Sequence, residues 1–472
     1  MNIIGETHSL CPQCLEKIPA KKIVEDDKVY LEKSCAQHGN YRTLIWRGAK
    51  HYIDLYKFST PKTKPNSTIE PRLGCPYDCG LCSEHKQHTC IVVMEITNRC
   101  NLNCPVCFAR ANESFVYEPN LDEIHNMYNT VARHCDKPIC VQLSGGEPTV
   151  RKDLPKIVAL GKKLGIDHIE VNTNGIRSAK SIEYLQELKR AGVDVLYLSF
   201  DGLTSDVYIK KCGLDLLDLK IRAIENCLKV GMGVILVPVL MRDVNFDQIG
   251  DLIRFAKAHV PIVRGIQFQP ISYFGRYPNI PSDEERVTTA DVLQAIEEQT
   301  YGEIKVENFT PTSCPNVHCD IRCLSVLMSD GKLLPLTYYS SGPSGSVKDV
   351  AESVRKAICD LWRSPEDIEV QGKEVEALAS CCLPGTWNEL VERAERYYLT
   401  VSVKPFQDVW NIELERIKEC CVHAVTPDGR LIPFCAFNVS DIHGRTLYRQ
   451  DIFSKFSHRV KGVEVWETRQ LL

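Results

Sequence analysis

The chain has 472 residues, 44% hydrophobic and 25% charged, with a net charge of -4. That length allows two or three domains and a sizeable core, and the mildly acidic balance offers no footing for nucleic acid. The opening residues lack a basic region followed by an apolar run, and no uncharged apolar stretch of ~18 residues occurs, so neither a secretion signal nor a spanning helix is expected.

The expected compartment is therefore cytoplasmic, where thiols stay reduced. The 23 cysteines then read as metal ligands rather than disulfides. Their clusters suggest four segments: a metal-binding unit over 1–60, an iron–sulfur segment over 61–90, an α/β core over 91–278, and a cysteine-bearing C-terminal part over 279–472.

In the first segment, Cys11 and Cys14 form C-x2-C, and Cys35 and His38 form C-x2-H about twenty residues on. Two such knuckles can wrap one tetrahedral ion, zinc or a rubredoxin-like iron. Between them, a hairpin is expected around Glu25, Asp26 and Asp27. The stretch from Pro61 to Pro71 reads as a linker. Cys75, Cys79, Cys82 and Cys90 follow as C-x3-C-x2-C-x7-C, a set that suits a fully ligated [4Fe–4S] cluster. A second zinc site is the alternative, with Cys90 free to serve as a core residue of the next strand.

The apolar run IVVMEIT, residues 91–97, reads as a buried strand. Directly after it come Cys100, Cys104 and Cys107, spaced C-x3-C-x2-C. No further cysteine follows within twenty-five residues. Three thiolates leave a metal centre one open position, which a catalytic metal needs, and loops after strand C-termini are where parallel α/β barrels keep their active sites.

This triad, followed by the aromatic Phe108, resembles the signature of the radical S-adenosylmethionine (SAM) superfamily. The resemblance implies that Cys100, Cys104 and Cys107 are catalytic and hold a [4Fe–4S] cluster whose open iron chelates SAM. It also implies a 5'-deoxyadenosyl radical that takes hydrogen from an unactivated carbon, and a low-potential electron donor such as ferredoxin or flavodoxin. The fold implied is a partial (β/α)6 TIM-like barrel.

Further strands should then follow at helix-length intervals. After a helix near Leu121–His134, ICVQLSGGEPT ends in Ser144, Gly145, Gly146 and Glu147, similar to the superfamily's "GGE" contact to the SAM amino group. HIEVNTNG ends in Asn172 and Asn174, and VLYLSFDG in Ser199 and Asp201, polar ends suited to a ribose or a methionine carboxylate. MGVILVPVL and GIQFQPIS complete six strands. Arg264 and Arg276, near the last, could hold an anion or be solvated surface.

Past the barrel, Cys314, Cys319 and Cys323 form C-x4-C-x3-C, and Cys381, Cys382, Cys420, Cys421 and Cys435 follow. Residues 323–337 and 421–435 share a D-G turn between two apolar runs, so each reads as a hairpin. In the second, Cys421 and Cys435 flank the turn. A third [4Fe–4S] cluster is expected from Cys314, Cys319, Cys323, Cys420, Cys421 and Cys435, with buried core thiols as the alternative for some.

Together the motifs resemble the radical SAM group that contains archaeal tetraether lipid synthase and proteins assigned to pterin methylation. The resemblance implies carbon–carbon coupling of lipid chains as the leading reaction, with peripheral membrane contact. Radical methylation of a small polar molecule such as a pterin is the alternative. A non-catalytic electron-transfer protein is a third reading, disfavoured by the three-thiolate site.

Overall fold

The computed structural model describes residues 2–338 and 396–457, apart from 61, 67–68, 113–115 and 278, together with residues 356, 390, 393 and 394. Residues 2–47 form a four-stranded antiparallel meander: β1 (Asn2–Leu10), β2 (Lys17–Glu25), β3 (Lys28–Cys35) and β4 (Gly39–Arg47). The expected β2–β3 hairpin turns at Asp26 and Asp27, with φ of 49° and 57°, the left-handed pair that a tight two-residue turn demands. A buried lysine pins this unit to the rest: Lys33 Nζ donates to Ser9 Oγ, Leu10 O and Val409 O at 3.1, 2.9 and 2.5 Å. Burial pushes its pKa down to about 7.

The six expected strands are β5 (Ile91–Thr97), β6 (Cys140–Gly145), β7 (His168–Thr173), β8 (Val195–Ser199), β9 (Gly233–Val237) with its short continuation β10 (Val239–Leu240), and β11 (Val263–Pro270). β5, β6, β7, β8, β9 and β11 lie side by side and parallel in that order. They are Val/Ile-rich because both faces are covered, as parallel sheets require; every residue of β5 is buried. Helices Leu121–His134, Leu154–Lys163, Ile182–Ala191, Leu217–Val230 and Ile249–Ala258 fill the crossovers. The first starts where expected, because Asn120 and Glu123 form a capping box.

The C-terminal part joins this sheet instead of standing apart. After β12 (Thr310–Pro311), β13 (Ile321–Leu327) and β14 (Leu333–Pro335) form the first expected hairpin. β15 (Tyr398–Val403) runs parallel to β11. At the other edge β16 (Val422–Val425) runs parallel to β5, and β17 (Leu431–Pro433) closes the second hairpin. The path β12-β13-β15-β11-β9-β8-β7-β6-β5-β16-β17 has two ends among the described residues, so the sheet is curled but open. Among the described residues, no helix is long and apolar enough to cross a membrane.

Candidate active site

The concave face of the curled sheet encloses a cavity of about 270 Å³. Cys100, Cys104, Cys107 and Phe108 line one side; Ser144, Gly145, Gly146, Glu147, Asn172, Asn174 and Ser199 line the strand ends.

Several groups hold the cysteine loop. Asn112 Oδ1 accepts from Cys100 N at 2.9 Å, and its Nδ2 donates to Cys100 O and Leu102 O, both at 3.0 Å. Arg276 and Cys107 exchange two backbone bonds of 2.9 Å, and Arg276 Nε donates to Cys104 O at 2.8 Å. Arg276 is thus a clasp on the loop. Arg264 is fully buried, donates to Arg396 O and stacks 3.8 Å over Tyr398, so it is a core group and not an anion site.

Glu147 ties two strand ends together. Its carboxylate accepts from Thr149 N, Thr149 Oγ1, Thr173 Oγ1 and Asn174 N at 3.1, 2.6, 2.8 and 2.6 Å. Glycines precede it because the chain passes the cysteine loop in backbone contact: a Cβ on Gly145 would lie 2.1 Å from Thr97 O, and on Gly146 2.2 Å from Arg99 O. Asp201 departs from expectation. It is fully buried behind the cavity, paired with Lys211 and accepting from Val239 N at 2.9 Å and Ser199 Oγ at 3.2 Å. Asp201 lies beyond the last strand residue, Ser199, where the chain has left the sheet and strand alternation no longer sets its direction.

Lining groups not anticipated are Lys211, Lys220, Gln142, Gln267 and Gln269. Lys220 Nζ donates to Asn174 O and Ser199 O at 2.6 and 2.7 Å. The glutamines were detectable, since CVQLS and IQFQP place them on alternating positions with other inward residues; the lysines were not, because they sit on crossover elements.

The thiols fit a metal centre. Burial, with the Glu147 carboxylate nearby, pushes the Cys100 pKa up to about 12, so this sulfur ionises only beside added positive charge. In the N-terminal meander, donor atoms of Cys11, Cys14, Cys35 and His38 all lie within 4.8 Å of one another. His38 Nδ1 sits 3.5 and 3.4 Å from the Cys11 and Cys35 sulfurs, as four ligands of one tetrahedral ion would.

The cysteines flanking the core regroup. Cys75, Cys79 and Cys82 line a small cavity with His85. Cys90 is not with them: β5–β16 pairing anchors it, as Cys90 N and Ile91 N both donate to Cys421 O. The Cys90 and Cys314 sulfurs meet, and His88 Nε2 lies 3.3 and 3.5 Å from them, so the three donors form one group. Cys90, Cys314, Cys319, Cys420, Cys421 and Cys435 together line a second cavity. Cys421 and Cys435 flank the β16–β17 hairpin, each two residues outside the His423–Pro433 pair. Cys323 is excluded: it lies on the core face of β13, 3.4 Å from Ser325 Oγ. Cys381 and Cys382 lie outside the described residues. Ile91, Gln267, Lys404, Phe406, Val422 and Phe434 line both cavities, forming a common wall.

Residues 94–256 match the Radical SAM superfamily, and residues 3–47 match the HMPTM N-terminal zinc ribbon domain. Along nearly its whole length the chain is similar to the 7,8-dihydro-6-hydroxymethylpterin dimethyltransferase of Methanocaldococcus jannaschii, 37% identical over 96% of this chain and 95% of that protein. The chain belongs to the radical SAM superfamily. Within it, the chain falls in the family of that dimethyltransferase, so the end-to-end match carries a pterin name and not the tetraether-synthase name expected first. The GTP 3',8-cyclase of Helicobacter pylori strain HPAG1 is 29% identical over 52% of this chain and 79% of its own length. This radical SAM enzyme therefore carries a zinc ribbon ahead of its core and cysteine-lined cavities behind it.

Proposed function

We propose that the chain is a radical SAM methyltransferase acting on a small pterin-class heterocycle. The observation that carries this reading is the 37% identity to the pterin dimethyltransferase over 96% of the chain. The cavity supports it: the amides of Gln142, Gln267 and Gln269 line it, and each offers both a donor and an acceptor to a heterocycle edge.

Cys100, Cys104 and Cys107 would hold the [4Fe–4S] cluster, which supplies the electron for reductive cleavage of SAM to the 5'-deoxyadenosyl radical. In this reading Ser144, Gly145, Gly146, Glu147, Asn172, Asn174 and Ser199 border SAM, and Asn172 Nδ2 donates to Ser144 Oγ at 3.2 Å to fix that edge. Lys220, held by the Asn174 and Ser199 carbonyls, would supply a positive charge that suits a carboxylate, whereas Lys211 is neutralised by Asp201. Phe108, Phe274, Phe406 and Phe434 give the cavity an aromatic lining. Cys11, Cys14, Cys35 and His38 would hold zinc. The cysteines flanking the core would hold auxiliary clusters, one on Cys75, Cys79 and Cys82 with a further ligand, one within the second cavity. An external low-potential protein would donate the electron.

One observation favours a second reading, radical coupling of alkyl chains. The wall common to the two cavities is largely apolar, with Ile91, Phe406, Val422 and Phe434; it would suit a hydrocarbon chain and bring it near the auxiliary cysteines. Anaerobic turnover of the reconstituted protein with SAM and a low-potential reductant separates the two. Methylation predicts a hydroxymethyl-dihydropterin heavier by one methylene per event and 5'-deoxyadenosine that rises with pterin. Coupling predicts deoxyadenosine that rises only with dialkyl lipid, and lipid that loses two hydrogens per bond. Deoxyadenosine indifferent to pterin would overturn the methylation reading.

A further inference from the structure

Below the cavity, on the same concave face, lies a set of donors that the proposed reaction does not use. Side chains alternate along a strand, so Cys140 shares its face with Gln142 and Ser144, and His168 shares its face with Glu170 and Asn172. The register sets Cys140 beside His168 and Gln142 beside Glu170. Cys140, His168 and Glu170 are 2%, 1% and 0% exposed, and their donor atoms all lie within 4.8 Å of one another.

The distances match a coordination polyhedron. Glu170 Oε1 is 3.3 Å from His168 Nε2 and 3.5 Å from Cys140 Sγ. A tetrahedral zinc with ordinary bond lengths sets its nitrogen–oxygen edge at about 3.3 Å and its sulfur–oxygen edge at about 3.5 Å. His168 Nε2 makes no hydrogen bond, although it faces the carboxylate oxygen: the two atoms point together without donor alignment.

Charge agrees. A buried carboxylate and a buried thiolate are costly apart from a cation, and one divalent ion neutralises both while the imidazole stays neutral. The far side of the ring also has a metal ligand's surroundings. Its Nδ1 faces Asp194 Oδ2 at 3.8 Å, and Asp194 is itself held by Lys162 Nζ and Ile169 N, each at 2.7 Å.

We propose that Cys140, His168 and Glu170 bind a zinc-class divalent cation inside the curled sheet, separate from the ribbon ion and the iron–sulfur centres. The ion would act as a staple. Glu170 Oε2 accepts from Gln142 Nε2 at 2.8 Å, so a fixed Glu170 fixes the amide that Gln142 presents to the cavity above.

The test is zinc and iron content of the reconstituted full chain, with zinc X-ray absorption. A Cys11→Ser/Cys14→Ser variant, with the ribbon site disabled, should retain about one zinc per chain, bound by one sulfur and lighter atoms. In the otherwise intact chain, Cys140→Ser and His168→Gln should each lose about one zinc and leave iron unchanged. If either of those variants fails to fold, the ribbon-disabled protein still decides. Zinc absent from it, or ligated by no sulfur or by several, overturns the proposal. So does a Cys140→Ser protein that loses about four irons and keeps its zinc. That outcome would make Cys140 a ligand of the auxiliary centre, since it packs with Cys90, Cys314 and Cys421.

Discussion

Replacing Gly146 by alanine should cripple the cysteine loop without touching a cysteine. The added Cβ would lie 2.2 Å from Arg99 O and 2.7 Å from Arg99 C, where real Cβ contacts essentially never fall below 3.0 Å; at least 0.8 Å of movement (3.0 minus 2.2) is needed. Neither partner can yield cheaply. Gly146 N donates to Thr97 O at 2.7 Å, Glu147 N donates to Arg99 O at 2.9 Å, and the Arg99 side chain is paired with Glu118. The displacement therefore passes to Cys100, the next residue. Overpacking of this kind costs about 1–3 kcal/mol of stability, and misplacing reacting groups by about 1 Å costs about a hundredfold in rate. The assay is 5'-deoxyadenosine formation from SAM, with iron content measured alongside. Gly302→Ala is the control, because Gly302 has φ of +77° but open space around its Cβ position; it should lose some stability and keep the rate. A Gly146→Ala enzyme with full iron and a rate within about threefold of the parent would refute the reasoning.

Four further outcomes are expected. Arg449→Met strands Glu95, since Arg449 and Glu95 are a buried pair with side chains 6% and 3% exposed; urea unfolding should show a loss of about 3–5 kcal/mol, largely recovered by adding Glu95→Leu. Burial holds the His85 pKa down to about 4, so the folded state favours the neutral ring; that stability, about 3 kcal/mol, is present above pH ~6.5 and is lost as pH falls toward 4. Thermal melts from pH 7 to 5 should therefore flatten in His85→Gln. His38→Ala should weaken zinc binding by more than the ~100-fold typical of losing an outer-shell partner, and His38→Cys should retain the ion, both read by competition with a chelator. Cys323→Ala should leave the iron content unchanged, whereas Cys435→Ala should lower it.

Much of the core was legible because its signals are local. A run such as IVVMEIT, followed at once by three cysteines, marks both a buried parallel strand and the loop that its C-terminal end must present. The later strands carry the same apolar period and end in the same short polar residues, and Cys11, Cys14, Cys35 and His38 needed only two turns to meet. Groups that depend on distant partners were less legible. Cys90 follows Cys82 closely in the chain, yet backbone bonds to Cys421 take it to the second cavity. Asp201 stands just past the strand end that carries Ser199, but the chain leaving the strand buries it against Lys211, from a helix whose facing residue no local pattern announces.

By itself the sequence determined the order of strands, the cysteine loop and the ribbon knuckles, since each rests on contacts within a few residues or on a period of two. Only the tertiary structure decided which far-apart cysteines share a cavity, that β15 and β16 extend the sheet at its two edges, and that Cys140, His168 and Glu170 converge beneath the active site. Those outcomes hang on which strands lie side by side, and neighbours across a sheet are chosen by the packing of the whole core.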